Sequence, residues 1–284
     1  MHNKGRRTII VAKSVGFCSG VERAVSIVEN LTRQSKGIFT VDSILHNERE
    51  MARLKALGVK VAKPNDSGEF VVLPAHGATD EEVGNLKKRF EKIIDVTCPF
   101  VIRTINIIKK LKSEDYKIVV VGEKGHRETK VLKETAGENL FAVISDLHEL
   151  NQFENEHLPK IALVSQSTVS RFLVFNVSQF FLKHSFEFRF FDTICPETVN
   201  RQQETEALAQ SVDCVIVVGG KHSANTNRLY EIAIRINKNT FFVEDAEELK
   251  KYELSKCLKI GIVSGTSTPE YIIKEIVEFL EDLP

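Results

Sequence analysis

Three cysteines stand at the start of helix-like segments in a recurring frame. Cys98 lies in DVTCPFVIR, between a short apolar run and a stretch where Ile102, Ile105, Ile108 and Leu111 recur at helical spacing. Cys195 lies in DTICPETVNR, nearly the same construction. Cys18 lies in SVGFCSGVERAV, followed at helical spacing by Val21, Ala24, Val25, Val28 and Leu31. Pro99 and Pro196 suit the first position of a helix, where a missing N–H costs nothing. Each preceding cysteine then sits at the positive end of a helix dipole, which favours thiolate. One cysteine in such a place is as readily an inert core thiol. Three at matched positions point to a shared metal centre. Zinc is open, although zinc sites usually include a close Cys-x-x-Cys pair; so is an iron–sulfur cluster, which accepts distant thiolates.

The frame extends beyond the cysteines. The strand-like runs IFTVDSILHN, IVVVGEKGHRE and VIVVGGKHSANT each end in a polar turn that places His46, His126 or Ser223 28 residues past its cysteine. A second set, FVVLPAHGATDEEV, IALVSQSTVS and IGIVSGTSTPE, follows in each repeat. The turns therefore offer His46, His76, His126, Thr168, Ser223, Asn225 and Ser267 at strand ends next to helix starts. Side-chain donors with exposed N–H groups suit a phosphate or diphosphate. Taken singly, each is an ordinary turn or cap residue; recurrence beside the cysteines is what argues for a ligand. Lys124 and Lys221 share these turns, as added charge or as solvated side chains.

Strands and helices that alternate in this way predict α/β units with parallel pairing. The repetition predicts three similar units with small, mainly parallel sheets about a pseudo-threefold axis. They are 15–97, 98–194 and 195–284, the last joined by an N-terminal strand within 1–14. In such sheets ligands bind at the carboxyl ends of strands, where the turns above fall. Lys plus Arg and Asp plus Glu both count 39 in 284 residues, so charge gives no argument for nucleic acid or an acidic membrane surface. The longest apolar runs are far too short to span a membrane, and Arg6-Arg7 leads into none, so no membrane association and a cytoplasmic location are expected. An odd count of five cysteines argues against a disulfide framework. Cys214 and Cys257, ahead of apolar runs, read as small core hydrophobes without a role. The chain has no GxGxxG fingerprint and no flavin motif, so electrons for redox chemistry would come from another protein.

The segments GFCSGVERAV, ILHN, AHG, DVTCP, GHRE, SQST, TICPETVNRQ, GGKHSANTNRL and GTSTPE occur in the same order as the signature segments of a known family. Over about residues 15–270 the chain resembles the LytB-type 4-hydroxy-3-methylbut-2-enyl diphosphate reductases of the methylerythritol phosphate route to isoprenoids. The resemblance implies three α/β domains around one central [4Fe–4S] cluster, held by Cys18, Cys98 and Cys195, with one iron left open. It implies reductive removal of the hydroxyl of an allylic diphosphate as water, giving isopentenyl and dimethylallyl diphosphate. Electrons would arrive from an external protein of ferredoxin or flavodoxin type. It further implies that His46, His76, His126, Ser223, Asn225 and Ser267 grip the diphosphate. Glu128 would supply the proton, and Thr168 would hydrogen-bond near the hydroxyl. Where the family often has two serines, this chain has Ser223-Ala224, so the N–H of Ala224 stands in for one hydroxyl. The rival reading is a non-enzymatic iron–sulfur redox sensor, which needs a cluster but neither the diphosphate donors nor Glu128.

Overall fold

The computed structural model describes residues 7–156, 158–255 and 257–283. The opening residues of the expected strand within 1–14, and Pro284 at the end of the expected third unit, lie outside the described residues. Elements alternate along the chain in the order β1 (Thr8–Val11), α1 (Ser19–Gln34), β2 (Ile38–Thr40), α2 (Glu48–Ala56), β3 (Val59–Val61), β4 (Gly68–Leu73) and α3 (Asp80–Lys87). There follow β5 (Phe90–Asp95), α4 (Pro99–Ser113), β6 (Lys117–Val121), α5 (Arg127–Ala136), β7 (Leu140–Ile144), β8 (Leu158–Ser165) and α6 (Arg171–His184). The rest are β9 (Ser185–Phe190), α7 (Pro196–Ser211), β10 (Cys214–Val218), α8 (Ala224–Ile236), β11 (Thr240–Val243), α9 (Ala246–Leu249), β12 (Lys259–Ser264) and α10 (Glu270–Asp282).

The strands form three four-stranded sheets, β3-β2-β4-β5, β7-β6-β8-β9 and β11-β10-β12-β1, and every pairing is parallel. The protein is thus α/β with three small parallel sheets, and the strand order is the same in each. In the third sheet the fourth place is taken by β1, which pairs with β12 from Thr8↔Lys259 to Val11↔Ile262. Contacts divide the chain into two compact units. One comprises the chain up to Glu22, Leu45–Leu57 and the chain from Pro196 onward; the other comprises Arg23–Ile44 and Gly58–Cys195.

In the first unit, β10 reads CVIVV and is buried along its whole length, as a strand covered on both faces requires. Alternation splits its side chains. Ile216 and Val218 face Ile272, Ile276 and Leu280 of α10, while Val215 and Val217 face Leu229 and Ala233 of α8. In the second unit, Ile118 and Val120 of β6 with Ala162 and Val164 of β8 pack against Ile108 and Leu111 of α4 and Leu132 and Ala136 of α5. The buried face of α4 is Val101, Thr104, Ile108 and Leu111. Ile102, expected on that face, is 39% exposed, because it lies one residue, about 100°, off the stripe.

The cysteine expectation needs a correction. Cys214 and Cys257 are buried in the core as expected, but they are joined as a disulfide, with Cα atoms 5.7 Å apart and a separation of 43 positions in sequence. The reason is topological. Cys214 opens β10 in register with Ile260 of β12, and Cys257 leads into β12, so parallel pairing sets both thiols at one end of the sheet. Among the described residues, no helix is long and apolar enough to cross a membrane.

Candidate functional site

Each of the three cysteines follows the outermost strand of a sheet: Cys18 after β1, Cys98 after β5, Cys195 after β9. Each also precedes a helix, with Cys98 in extended conformation as the N-cap of α4 and Pro99 inside its first turn. All three are half-buried and carry thiols. Their backbone N–H groups repeat one bond. Cys18 donates to the Thr266 carbonyl at 3.1 Å, Cys98 to Ala75 at 2.9 Å and Cys195 to Ser167 at 2.9 Å. These acceptors immediately precede Ser267, His76 and Thr168. The same backbone bond therefore ties a thiol-bearing residue to a sequence-predicted donor three times.

In the first unit, the turn after β10 begins with Gly219 at φ +147, followed by Gly220. A Cβ on Gly220 would lie 2.2 Å from the His46 carbonyl oxygen, so only glycine lets this turn pass His46. Ser223 caps α8, its Oγ accepting from the Thr226 N–H at 3.3 Å, and Ala224 opens the helix with one of the N–H groups that helix starts leave unpaired. Asn225 is 2% exposed, and both its amide N and O lack a hydrogen-bond partner among the described residues. An unpaired buried amide costs about 2 kcal/mol, so a side chain kept that way points to a polar ligand. Ser267 is likewise buried, in the turn between β12 and α10.

Arg201, a residue the sequence reading passed over, anchors the Cys18 loop. It is 3% exposed on α7; its Nη2 donates to the Gly16 carbonyl and its Nη1 to the Ser264 carbonyl, each at 2.9 Å. The Gly16 N–H in turn donates to Ser264 Oγ at 3.0 Å, with Gly16 at φ +82. The sequence of α7 is so polar that it reads as solvated. The one available signal was Thr198, Arg201, Thr205 and Ala209 on a single helical stripe, the residues α7 buries.

In the second unit, His126 caps α5 by accepting the Glu128 N–H at Nδ1, 3.2 Å, and its ring meets His76 edge-on with centroids 5.1 Å apart. Glu128, one residue inside α5, is fully buried. Ser167 grips it twice, its N–H donating to Oε1 at 2.7 Å and its hydroxyl to Oε2 at 2.6 Å. Burial pushes the Glu128 carboxyl from 4.5 up to about 7, against the downward pull of both Ser167 bonds. Thr168 accepts at Oγ1 from Gln166 Nε2 at 2.8 Å, while Gln166 Oε1 accepts from the Glu123 N–H at 2.9 Å. Ser167 and Gln166 were likewise missed, although both stand in SQST; what they hold lies about forty residues earlier in the chain. Arg127 fixes the start of α5, donating to the Gly77 carbonyl at 3.0 Å and to both Glu82 oxygens at 3.0 Å. Lys124 and Lys221 are ion-paired to Glu149 and Glu248, at 2.7 and 2.6 Å.

Within the first unit, the fold thus brings His46 beside the turn of Ser223, Ala224 and Asn225, and Cys18 beside the turn of Ser267. Within the second it joins Cys98 to the His76 turn, His76 to His126, and Cys195 with Glu128 through Ser167. A thiol at a helix start is a donor type that an iron–sulfur centre takes, and the buried amide of Asn225 with the N–H of Ala224 suits an anion.

Known proteins share this plan. The curated 4-hydroxy-3-methylbut-2-enyl diphosphate reductase of Campylobacter hominis is 37% identical over 276 residues, 95% of this chain and 97% of its own. The protein of that name from Dictyoglomus thermophilum is 32% identical over 278 residues, 97% and 96% of the two chains. A solved structure of (E)-4-hydroxy-3-methyl-but-2-enyl diphosphate reductase, described as the terminal enzyme of the non-mevalonate pathway, matches with a TM-score of 0.72 at 33% identity, covering 98% of this chain and all of that one. A solved reductase structure from Plasmodium falciparum matches with a TM-score of 0.90 at 25% identity, covering 98% of this chain and 89% of the other. A sequence model for the LytB protein matches residues 9–281, nearly the whole chain, and with these relatives it places the chain in the LytB protein family.

Proposed function

We propose that this chain is a reductase that removes the hydroxyl of 4-hydroxy-3-methylbut-2-enyl diphosphate as water, the last step of its isoprenoid pathway, yielding isopentenyl and dimethylallyl diphosphate. The observation that carries this reading is Glu128. A carboxyl held near 7 by burial and positioned by Ser167 can keep a proton at neutral pH and release it to a leaving oxygen. A redox sensor has no use for such an acid, nor for the unpaired amide of Asn225.

In this proposal Cys18, Cys98 and Cys195 hold one [4Fe–4S] cluster, with one iron left without a protein ligand. When bound, the cluster supplies the two electrons that the reduction consumes, received in turn from a ferredoxin- or flavodoxin-type donor. The chain's own residues do the rest. His46, His76, His126, Ser223, Asn225 and Ser267, with the N–H of Ala224, bind and orient the diphosphate. Thr168, aligned by Gln166, donates its hydroxyl hydrogen near the substrate oxygen, and Glu128 delivers the proton that lets water leave; a second proton, added to an allylic carbon together with the two electrons, forms the C–H bond of either product. The three matching strand orders support the division into units 15–97, 98–194 and 195–284 with the N-terminal strand. A cytoplasmic location fits the reducing chemistry. The test is turnover of the allylic diphosphate by anaerobically purified protein with a chemical one-electron reductant. Glu128→Gln should slow it roughly 10²–10⁴-fold while iron content and diphosphate binding hold. Absence of hydrocarbon diphosphate products from the parent protein would refute the reading.

A further inference from the structure

We propose that β9 is a self-association edge, through which two copies of this chain pair antiparallel about a two-fold axis at Phe188. β9, SFEFRF, is an edge strand of the sheet β7-β6-β8-β9. Its inner side is engaged with β8 in register Glu187 to Lys160 and Arg189 to Ala162, and the Phe191 N–H donates to the Leu163 carbonyl at 3.0 Å. In a parallel strand the N–H and C=O of one residue point the same way, and direction alternates along the chain. Arg189 and Glu187 therefore turn their backbone groups to β8, while Phe186, Phe188 and Phe190 present theirs outward.

Outward edges are templates for another strand, and charges on them usually serve to repel one. Here the charges select a partner instead. Antiparallel registers compatible with the outward groups can be centred on residue 187, 188 or 189. Centring on 187 sets Glu187 against Glu187 of the second copy, and centring on 189 sets Arg189 against Arg189. Only the register centred on Phe188 sets Glu187 opposite Arg189 of the second copy, and by symmetry does so twice. Those pairs fall at the non-hydrogen-bonded sites, where side chains across the strands come closest. The same register makes Phe186–Phe190, Phe188–Phe188 and Phe190–Phe186 the hydrogen-bonded pairs, about six main-chain bonds in all.

The side chains agree with that pairing. Phe186 is 98% exposed and Phe190 46%, on the face of the sheet that carries α6. That helix adds exposed Phe172, Phe175 and Leu182. Exposed apolar side chains along an open sheet edge and on the helix beside it mark an association surface. On the opposite face Glu187 accepts from the Tyr116 hydroxyl and Arg189 pairs with Glu114 at 2.5 Å, so both charges are held in place before a second copy arrives, each still about two-fifths exposed.

The test is sedimentation velocity of the full, anaerobically purified chain across the micromolar range. Self-association is expected, weakened about tenfold or more by Glu187→Arg or Arg189→Glu, each of which puts like charges opposite twice. The double variant Glu187→Arg/Arg189→Glu should regain it, because opposite charges again face each other. Phe188→Pro deletes an outward N–H and leaves the β8 ladder intact, and should also weaken it; circular dichroism checks folding in every case. A monomer throughout the range, dimers indifferent to both single reversals, or a double variant as weak as the singles would each overturn the proposal.

Discussion

Replacing Glu128 by glutamine keeps its volume and its ability to accept from the Ser167 N–H, but removes a titrating proton from a fully buried site. The carboxyl is raised from 4.5 to about 7 by burial. A carboxyl raised in the folded state binds its proton more tightly folded than unfolded. Its contribution to stability is therefore full below about 4.5 and is lost as pH rises through about 7. That interval corresponds to about 3 kcal/mol. Glutamine carries no such dependence. Between about pH 5 and about pH 8, Glu128→Gln should gain most of that amount relative to the parent chain, since the parent alone must ionise a buried group. Urea unfolding of both proteins at the two pH values, under anaerobic conditions, gives the difference; anything common to the two proteins, the cofactor included, cancels. The parent's turnover should also fall as pH rises past about 7, and the variant's residual rate should lack that limb. A stability difference that is the same at both pH values would show that Glu128 does not titrate in this window, and the acid would have to be sought elsewhere.

Asn225→Ala should weaken inorganic diphosphate binding about tenfold or more without lowering the melting temperature, because an amide left unpaired in the fold adds nothing to stability; isothermal titration with a melt checks both. Arg201→Met strands the Gly16 and Ser264 carbonyls and should destabilise the protein by about 3 kcal/mol, with iron content falling as the Cys18 loop loosens; denaturant melts and iron analysis read these separately, and Arg201→Lys should recover part of each. Cys98→Ser should abolish the visible absorption of anaerobic protein while Cys257→Ser keeps it, and full iron and sulfide in Cys98→Ser would remove that residue from the ligand set.

What the sequence disclosed and what it hid divide along a physical line. Cys98 at a helix start follows from a proline one residue on and an apolar period after it, both local. The turns of His46, His126 and Ser223 end short apolar strands and lead into helices that Asn47, His126 and Ser223 cap, which local pattern also encodes. Features that depend on which strand lies beside which were not legible. The Cys214–Cys257 bond exists because β10 and β12 are neighbours, and no spacing rule states that. Ser167 holds Glu128 across a gap of 39 residues, so SQST suggested a donor to ligand rather than a partner for the acid. Arg201 was hidden because a basic side chain on a polar helix ordinarily faces water. The exposure of Phe186 and Phe190 follows from the place of β9 at a sheet edge, which no local pattern states.

The place of β1 in the third sheet bears on how the protein is made. Two sheets use strands that follow one another directly along the chain, so each can close while a ribosome is still extending the polypeptide. The third cannot, since β1 waits for β12 and Gly16 for Ser264, 248 residues downstream. Until then the loop of Cys18 lacks the groups that shape it, whereas the bonds that seat Cys98 and Cys195 are available much earlier. A nascent chain halted before β12 therefore offers two ordered thiols and one unordered one, and under the proposed ligand set metal loading would be a post-translational event gated by the last strand.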